Sequence, residues 1–148
     1  MKLRSIIGGL ALMLTSSLAA HAADPVKFAL CYDLSKAYTF VTPQVAQAAK
    51  DYADLLNAKG GLEGHPIEVI VQDHGNEPQR GIECYERLKR EGVMVFDMLS
   101  TPVSRAVLPR VMKDGNILMQ SLAGRGDAVD GDVFKWVFPI GPTYWGQA

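Results

Sequence analysis

The sequence is poor in the groups that mark catalysis or nucleic-acid binding. It has only three histidines in 148 residues, and His65 and His74 stand near opposite ends of a strand-like run, too far apart to share a metal ion readily. It contains no G-x-S-x-G elbow and no P-loop, which removes the motif support for an α/β-hydrolase or a P-loop nucleotide enzyme. Gly124-Arg125-Gly126 is a fragment of a dinucleotide fingerprint, without the third glycine or the following helix. Positive charge is not in excess: 15 basic residues face 16 acidic ones, a net charge of −1, so phosphate neutralisation is not a driving force here. Internal repeats and low-complexity tracts are absent. Cysteine is scarce too. Cys31 falls in an apolar strand pattern and Cys84 in a helical one, and both read as small buried or half-buried hydrophobes rather than as a pair, although an oxidising compartment would permit a disulfide.

What is present begins with the N-terminus. Lys2 and Arg4 precede an apolar run from Ile6 to Ala20, and Ala20-His21-Ala22 satisfies the small-x-small cleavage rule. Residues 1–22 therefore read as a secretory signal peptide, cleaved after about Ala22. The run is short and carries glycines and serines, which argues against a membrane anchor. No cysteine lies at the cleavage point, so lipid anchoring is not indicated. The remaining chain, residues 23–148, has 13 basic and 16 acidic residues, a net charge of −3, and the size of one domain.

Beyond the signal, strand and helix patterns alternate. Val26 to Tyr32 reads as a first strand. A helix follows, with Thr42 as cap, Pro43 at its first position, and Val45, Ala49, Tyr52 and Leu56 on the inner face. "PIEVIVQD" is the second strand, "PQRGIECYERLKREG" the second helix and "VMVFDML" the third strand. "STPVSRAVLPRVMKDG" is the third helix, with Pro109 a candidate kink. "NILMQ" is the fourth strand, and after a Gly-rich loop "FKWVFP" is the fifth. "GPTYWGQA" opens a further helix. Such alternation predicts an α/β doubly wound parallel sheet of order 2-1-3-4-5.

In that order, ligands bind at the carboxyl ends of the strands, at the switch point between strands one and three. The loops Asp33 to Pro43 and Leu99 to Ser104 reach it, and each meets a helix start marked by Thr-Pro. Unpaired N–H groups there favour an anion such as a carboxylate. Ser100, Thr101 and Ser104 add hydroxyls, and Arg125 adds a cation. The plainer readings stand beside these: Thr42 and Thr101 as N-caps, Tyr38 as a loop anchor, Arg125 as a solvated surface charge. "GGLEG" (Gly60 to Gly64) runs helix, glycines, strand, the reverse of a phosphate cradle, and so reads as a corner at the amino ends of the strands.

The stretch "LLNAKGGLEGHPIEVIVQDHGNEPQRGI" resembles the periplasmic substrate-binding proteins of branched-chain amino-acid type ABC transporters. Asn57, Gly60, Gly61, Gly64, Asp73 and Pro78 carry the match, which continues through "GVMVF", "STPVSRAV" and "NILMQSLAG". The resemblance covers nearly all of residues 23–148, but only that family's N-terminal lobe, so the C-terminal lobe is absent and the sequence reads as a fragment. It implies a periplasmic receptor of two lobes, monomeric when full-length, that closes on a solute and delivers it to ABC permease subunits in the inner membrane. It implies no cofactor, metal, nucleic acid or catalysis. The implied ligand residues are Ser100, Thr101 and Ser104 after the third strand, Ser121, Ala123, Gly124 and Arg125 after the fourth, and Tyr38 after the first. The first loop lacks that family's usual Ser-Gly, and Leu122 and Arg125 are bulky where small or hydroxylated residues are usual. These departures point from a branched-chain amino acid toward another carboxylate, such as an aromatic or dicarboxylic acid, or an amide. The alternatives are a secreted flavodoxin-like hydrolase, which would need a base for Ser100 or Ser104, and the lobe of a sugar-sensing regulator.

Overall fold

The computed structural model describes residues 23–121 and 124–148; the expected signal peptide lies outside them. Its main elements are β1 (Val26–Tyr32), α1 (Thr42–Asn57), β2 (Ile67–Asp73), α2 (Pro78–Arg90), β3 (Val95–Asp97), α3 (Thr101–Asp114), β4 (Ile117–Ser121), β5 (Val137–Ile140) and the short α4 (Tyr144–Gln147). The five strands form one parallel sheet of order β2-β1-β3-β4-β5, as the alternation predicts. β3 is shorter than the apolar run Val93 to Leu99 that encodes it. The Ser100 N–H turns back onto the Met98 carbonyl at 2.7 Å, and the chain leaves the sheet there to enter α3.

Successive strand residues face opposite sides of the sheet, which divides the core in two. Ala29, Cys31, Phe96, Met98 and Leu118 face α2 and α3, meeting Tyr85, Leu88, Val103, Val107 and Val111. Gly81 lets these two helices approach, since a Cβ there would meet Val103 Cγ1 at 2.2 Å. Leu30 and Tyr32 face α1 on the other side, with Ala46 and Leu99.

Three local expectations need correction. The first concerns the inner face of α1. Thr42, Ala46 and Ala53 are buried, whereas Tyr52 is 62 % exposed; Val45, Ala49 and Leu56 only flank the contact. Small side chains bring the helix onto the sheet, and the larger apolar ones are rotated to its edge. The second concerns the caps. Val41 is the cap residue of α1, and the Thr42 hydroxyl turns back to the carbonyls of Asp33 and Tyr38. Ser100, not Thr101, caps α3.

The third is the disulfide joining Cys31 to Cys84, with Cα atoms 6.5 Å apart. Both cysteines are buried, as expected of small hydrophobes, but they sit on facing surfaces of β1 and α2 within bridging distance. At the amino ends of the strands, the glycine corner behaves as read. Gly60, Gly61 and Gly64 all have positive φ, and a Cβ on Gly61 would meet the His65 carbonyl oxygen at 2.1 Å. Asn57 fastens the corner to β2: its amide donates to the Ile67 carbonyl at 2.8 Å and its Oδ1 accepts the Ile67 N–H at 2.7 Å.

Candidate ligand site at the carboxyl ends of the strands

Three turns converge beyond the carboxyl ends of β1, β3 and β4. The first is organised by Asp33, which is fully buried. Its carboxylate accepts the N–H groups of Ser35, Lys36 and Tyr38 at 3.2, 2.8 and 2.9 Å. Burial raises its pKa, but the backbone donors outweigh this and hold it below the usual range. The turn places Tyr38, half-buried, against the cluster of Leu30, Tyr32, Ala46 and Leu99.

The second turn leads from β3 into α3. Ser100 Oγ accepts the Val103 N–H at 3.4 Å and donates to Asn76 Oδ1 at 2.7 Å. Ser104 is fully buried; its hydroxyl donates to the Thr101 carbonyl at 3.1 Å and accepts from Arg125 Nη1 at 3.3 Å. Thr101 is half-buried, with Oγ1 3.0 Å from the Tyr144 hydroxyl. The third turn, after β4, carries Arg125, which is only 3 % exposed, so the solvated-charge reading is set aside. Gly124 clears space for the segment beyond β5. A Cβ there would meet the Tyr144 ring and its N at 2.8 Å, and the Tyr144 N–H donates to the Gly124 carbonyl at 2.6 Å. Ala123 lies outside the described residues.

The second and third turns, with the segment beyond β5, line a cavity of about 320 Å³ formed by Thr101, Arg105, Arg125, Gly126, Tyr144 and Trp145. It brings together two arginines, a threonine at a helix start and two aromatic rings, a set suited to an anion on a flat apolar body. Ser100 and Ser104 stand behind this lining and support it. Tyr38 and Ser121 lie elsewhere. The Ser121 N–H meets Asp97 Oδ1 at 3.3 Å, and the Tyr32 hydroxyl donates to Asp97 Oδ2 at 2.9 Å. Burial pushes the Asp97 pKa up, against the pull of its hydrogen bonds to Ser121 and Tyr32. Burial, reinforced by the Asp97 charge, likewise raises the Tyr32 pKa. A larger groove, about 490 Å³, runs between β2 and α2, but its lining is of mixed charge, Arg80 pairs with Asp73 at 3.1 Å across it, and it lies off the switch point.

Sequence reasoning missed Arg105, Tyr144 and Trp145. Arg105 had a signal: it follows Thr101 by four residues and so shares its helix face. The two aromatic residues had none, because they return to the site only through the path of the chain after β5.

A sequence profile described as "Periplasmic binding protein" matches residues 25–148. Among solved structures, a fatty acid ABC transporter substrate-binding protein from Thermomonospora curvata is 29% identical, with a TM-score of 0.74 over 82% of this chain and 30% of its own. A protein described as an ABC transporter permease, from the Pseudomonas fluorescens group, is 30% identical, with a TM-score of 0.72 over 82% and 31%. A solute binding protein of an ABC transporter from Rhodopseudomonas palustris BisB5, in complex with 3,4-dihydroxy benzoic acid, shares the fold: it is 20% identical, with a TM-score of 0.69 over 82% and 33%. No curated protein matches. The chain thus spans about a third of the length of these structures. By its sheet order and a profile match running from Pro25 to Ala148, the chain belongs to the periplasmic binding protein family.

Proposed function

We propose that the chain is the N-terminal lobe of a periplasmic solute receptor, exported by a signal peptide cleaved after about Ala22. In its two-lobed form, as a monomer, it delivers a carboxylate-bearing solute to the permease of an ABC importer. The observation that carries this reading is the cavity at the start of α3, where Thr101, Arg105 and Arg125 face Tyr144 and Trp145. A carboxylate is favoured by the N–H groups and dipole of a helix start, and a guanidinium can meet it through two parallel hydrogen bonds. The paired rings favour an aromatic acid over a branched-chain amino acid, and the 3,4-dihydroxy benzoic acid of the Rhodopseudomonas palustris protein is such a solute. Thr101 and Arg125 take the carboxylate in this reading. Ser100, Ser104 and Gly124 shape the loops around them, and the proposed ligand set extends to Tyr38, Ser121 and Ala123 by their sequence positions after β1 and at the end of β4.

The hydrolase alternative finds no support in the serines. Ser100 bonds Asn76 and Ser104 bonds Thr101 and Arg125, so neither hydroxyl is engaged by a histidine base.

The test is calorimetry of the two-lobed protein against 3,4-dihydroxybenzoate and isoleucine. The aromatic acid is expected to bind tighter, and Thr101→Ala to weaken it about tenfold, the loss of one charge-assisted hydrogen bond. Tighter binding of isoleucine would overturn the aromatic preference, and an unchanged affinity would return Thr101 to a purely structural role. The 148-residue chain, holding half a site, is expected to bind neither at sub-millimolar strength.

A further inference from the structure

Ser100 sits at the head of α3, yet the group that fixes it comes from the outer edge of the sheet. β1 lies between β2 and β3 in the strand order. After β2 the chain turns sharply, with the Glu77 N–H on the His74 carbonyl at 3.0 Å. Gly75 and Asn76 both take positive φ, +54° and +56°. Asn is the non-glycine residue best suited to that conformation. The turn carries Asn76 over the end of β1, where its Oδ1 receives the Ser100 hydroxyl proton at 2.7 Å.

His74 holds the turn from beneath. Its ring is fully buried, and Nδ1 accepts the Asn76 N–H at 2.9 Å. An accepting Nδ1 places the ring proton of the neutral imidazole on Nε2. Asp33 at the end of β1, Asp73 on β2 and Arg80 on α2 are the charged groups that face this ring. A chain of three contacts therefore runs from His74 to Asn76, from Asn76 to Ser100, and from Ser100 to the Val103 N–H in the first turn of α3.

We propose that Asn76, oriented by His74, is a positioning residue of the ligand site: by taking the Ser100 hydroxyl proton it fixes the first turn of α3, which receives the solute's carboxylate. The functional half of this inference rests on the ligand reading above. With its proton committed to Asn76 and a lone pair to Val103, Ser100 stiffens the loop and is not a donor to the solute. Thr101 and the helix-start N–H groups then meet the carboxylate from a preset position, so little ordering remains to be done on binding.

Two variants separate the acceptor from the backbone. Asn76→Gly keeps the positive φ and removes Oδ1; Asn76→Asp keeps an acceptor. Amide hydrogen exchange of Val103 is followed by NMR in the 148-residue chain, and 3,4-dihydroxybenzoate binding by calorimetry in the two-lobed protein. Asn76→Gly is expected to speed Val103 exchange at least fivefold and to weaken binding by a similar factor, while Asn76→Asp holds Val103 exchange within twofold of the parent. Unchanged Val103 exchange in Asn76→Gly would overturn the link to α3. Faster exchange with unchanged affinity would overturn the positioning role. A parent protein that binds no carboxylate would instead count against the ligand reading, and the exchange arm would still decide the link to α3.

Discussion

Asp73 shows how far single side chains set the architecture of this edge. Its carboxylate closes β2 and accepts from the Leu34 N–H at 2.9 Å, the Gly75 N–H at 2.8 Å, the Ser35 hydroxyl at 2.8 Å and Arg80 at 3.1 Å. It thereby ties the β1 turn, the β2 turn and α2 together. Burial by itself would raise its pKa, but these donors win and hold it at about 2. A folded-state pKa below the unfolded value of about 3.9 stabilises the fold at every pH above that value. The contribution is lost as pH falls from about 4 toward 2. Linkage for such a difference is about 2.6 kcal/mol; with 28 % of the side chain open to solvent, about 1 kcal/mol is the fairer expectation. Asp73→Asn is therefore expected to cost about 1 kcal/mol at pH 7 and to flatten the loss of stability between about pH 4 and pH 2. Urea unfolding across that range reads both effects. An acid limb identical to the parent's would show that Asp73 is not its source.

At the scale of elements, the disulfide between Cys31 and Cys84 fastens α2 to the sheet across 53 residues of sequence. Closing a loop of that length in the unfolded chain corresponds to about 4 kcal/mol of chain entropy, and observed effects of such bridges commonly run somewhat lower. Replacing both cysteines with alanine, which suits their buried positions, is expected to lower stability by about 2–4 kcal/mol. Denaturant unfolding of the oxidised parent and the double variant measures it, and unfolding free energies within about 0.5 kcal/mol of each other would refute a structural role. The sheet itself was legible in the sequence because its evidence is local: apolar runs, Thr-Pro helix starts and glycine stops alternate in a way that leaves few topologies. The bridge was not. A period of 2 in β1 and of 3.6 in α2 shows that each cysteine faces inward, but not that the two meet at one height. The inner face of α1 departs from its pattern for a related reason: the stripe Val45, Ala49, Tyr52 and Leu56 has helical spacing, but the contact with the sheet is made by Thr42, Ala46 and Ala53, on the neighbouring helix face. At the candidate site, Thr101 and Arg125 were visible from their place after β3 and β4. Tyr144 and Asn76 were not, since Gly124–Tyr144 and Asn76–Ser100 are contacts between turns far apart in sequence, which periodicity does not encode.

At the scale of the molecule, the two faces of the sheet are unequal. α2 and α3 cover one side, while α1 covers the other only over β1 and β2. Paired register places Val95, Ile117, Met119, Phe138 and Ile140 on that second side, beyond α1. The first three are half-buried, but Phe138 is 46 % and Ile140 50 % exposed. An apolar groove of about 240 Å³, lined by Phe28, Leu30, Ala49, Leu56 and neighbours, opens between α1 and the sheet. Among the described residues β5 is moreover an edge strand, with no strand paired to its outer side. A contiguous apolar strip beside an open edge favours association. The chain from residue 23 to residue 148 is therefore expected to self-associate with rising concentration, as followed by sedimentation velocity. Charging the strip by Phe138→Lys with Ile140→Glu should keep it monomeric. Each side chain is about half exposed, so the double change is expected to cost about 1–2 kcal/mol of unfolding free energy and to leave the chain folded. If the charged variant associates as strongly as the parent, the contact lies elsewhere, with Phe40 and Trp145, at 76 % and 88 % exposure, the next surfaces to charge.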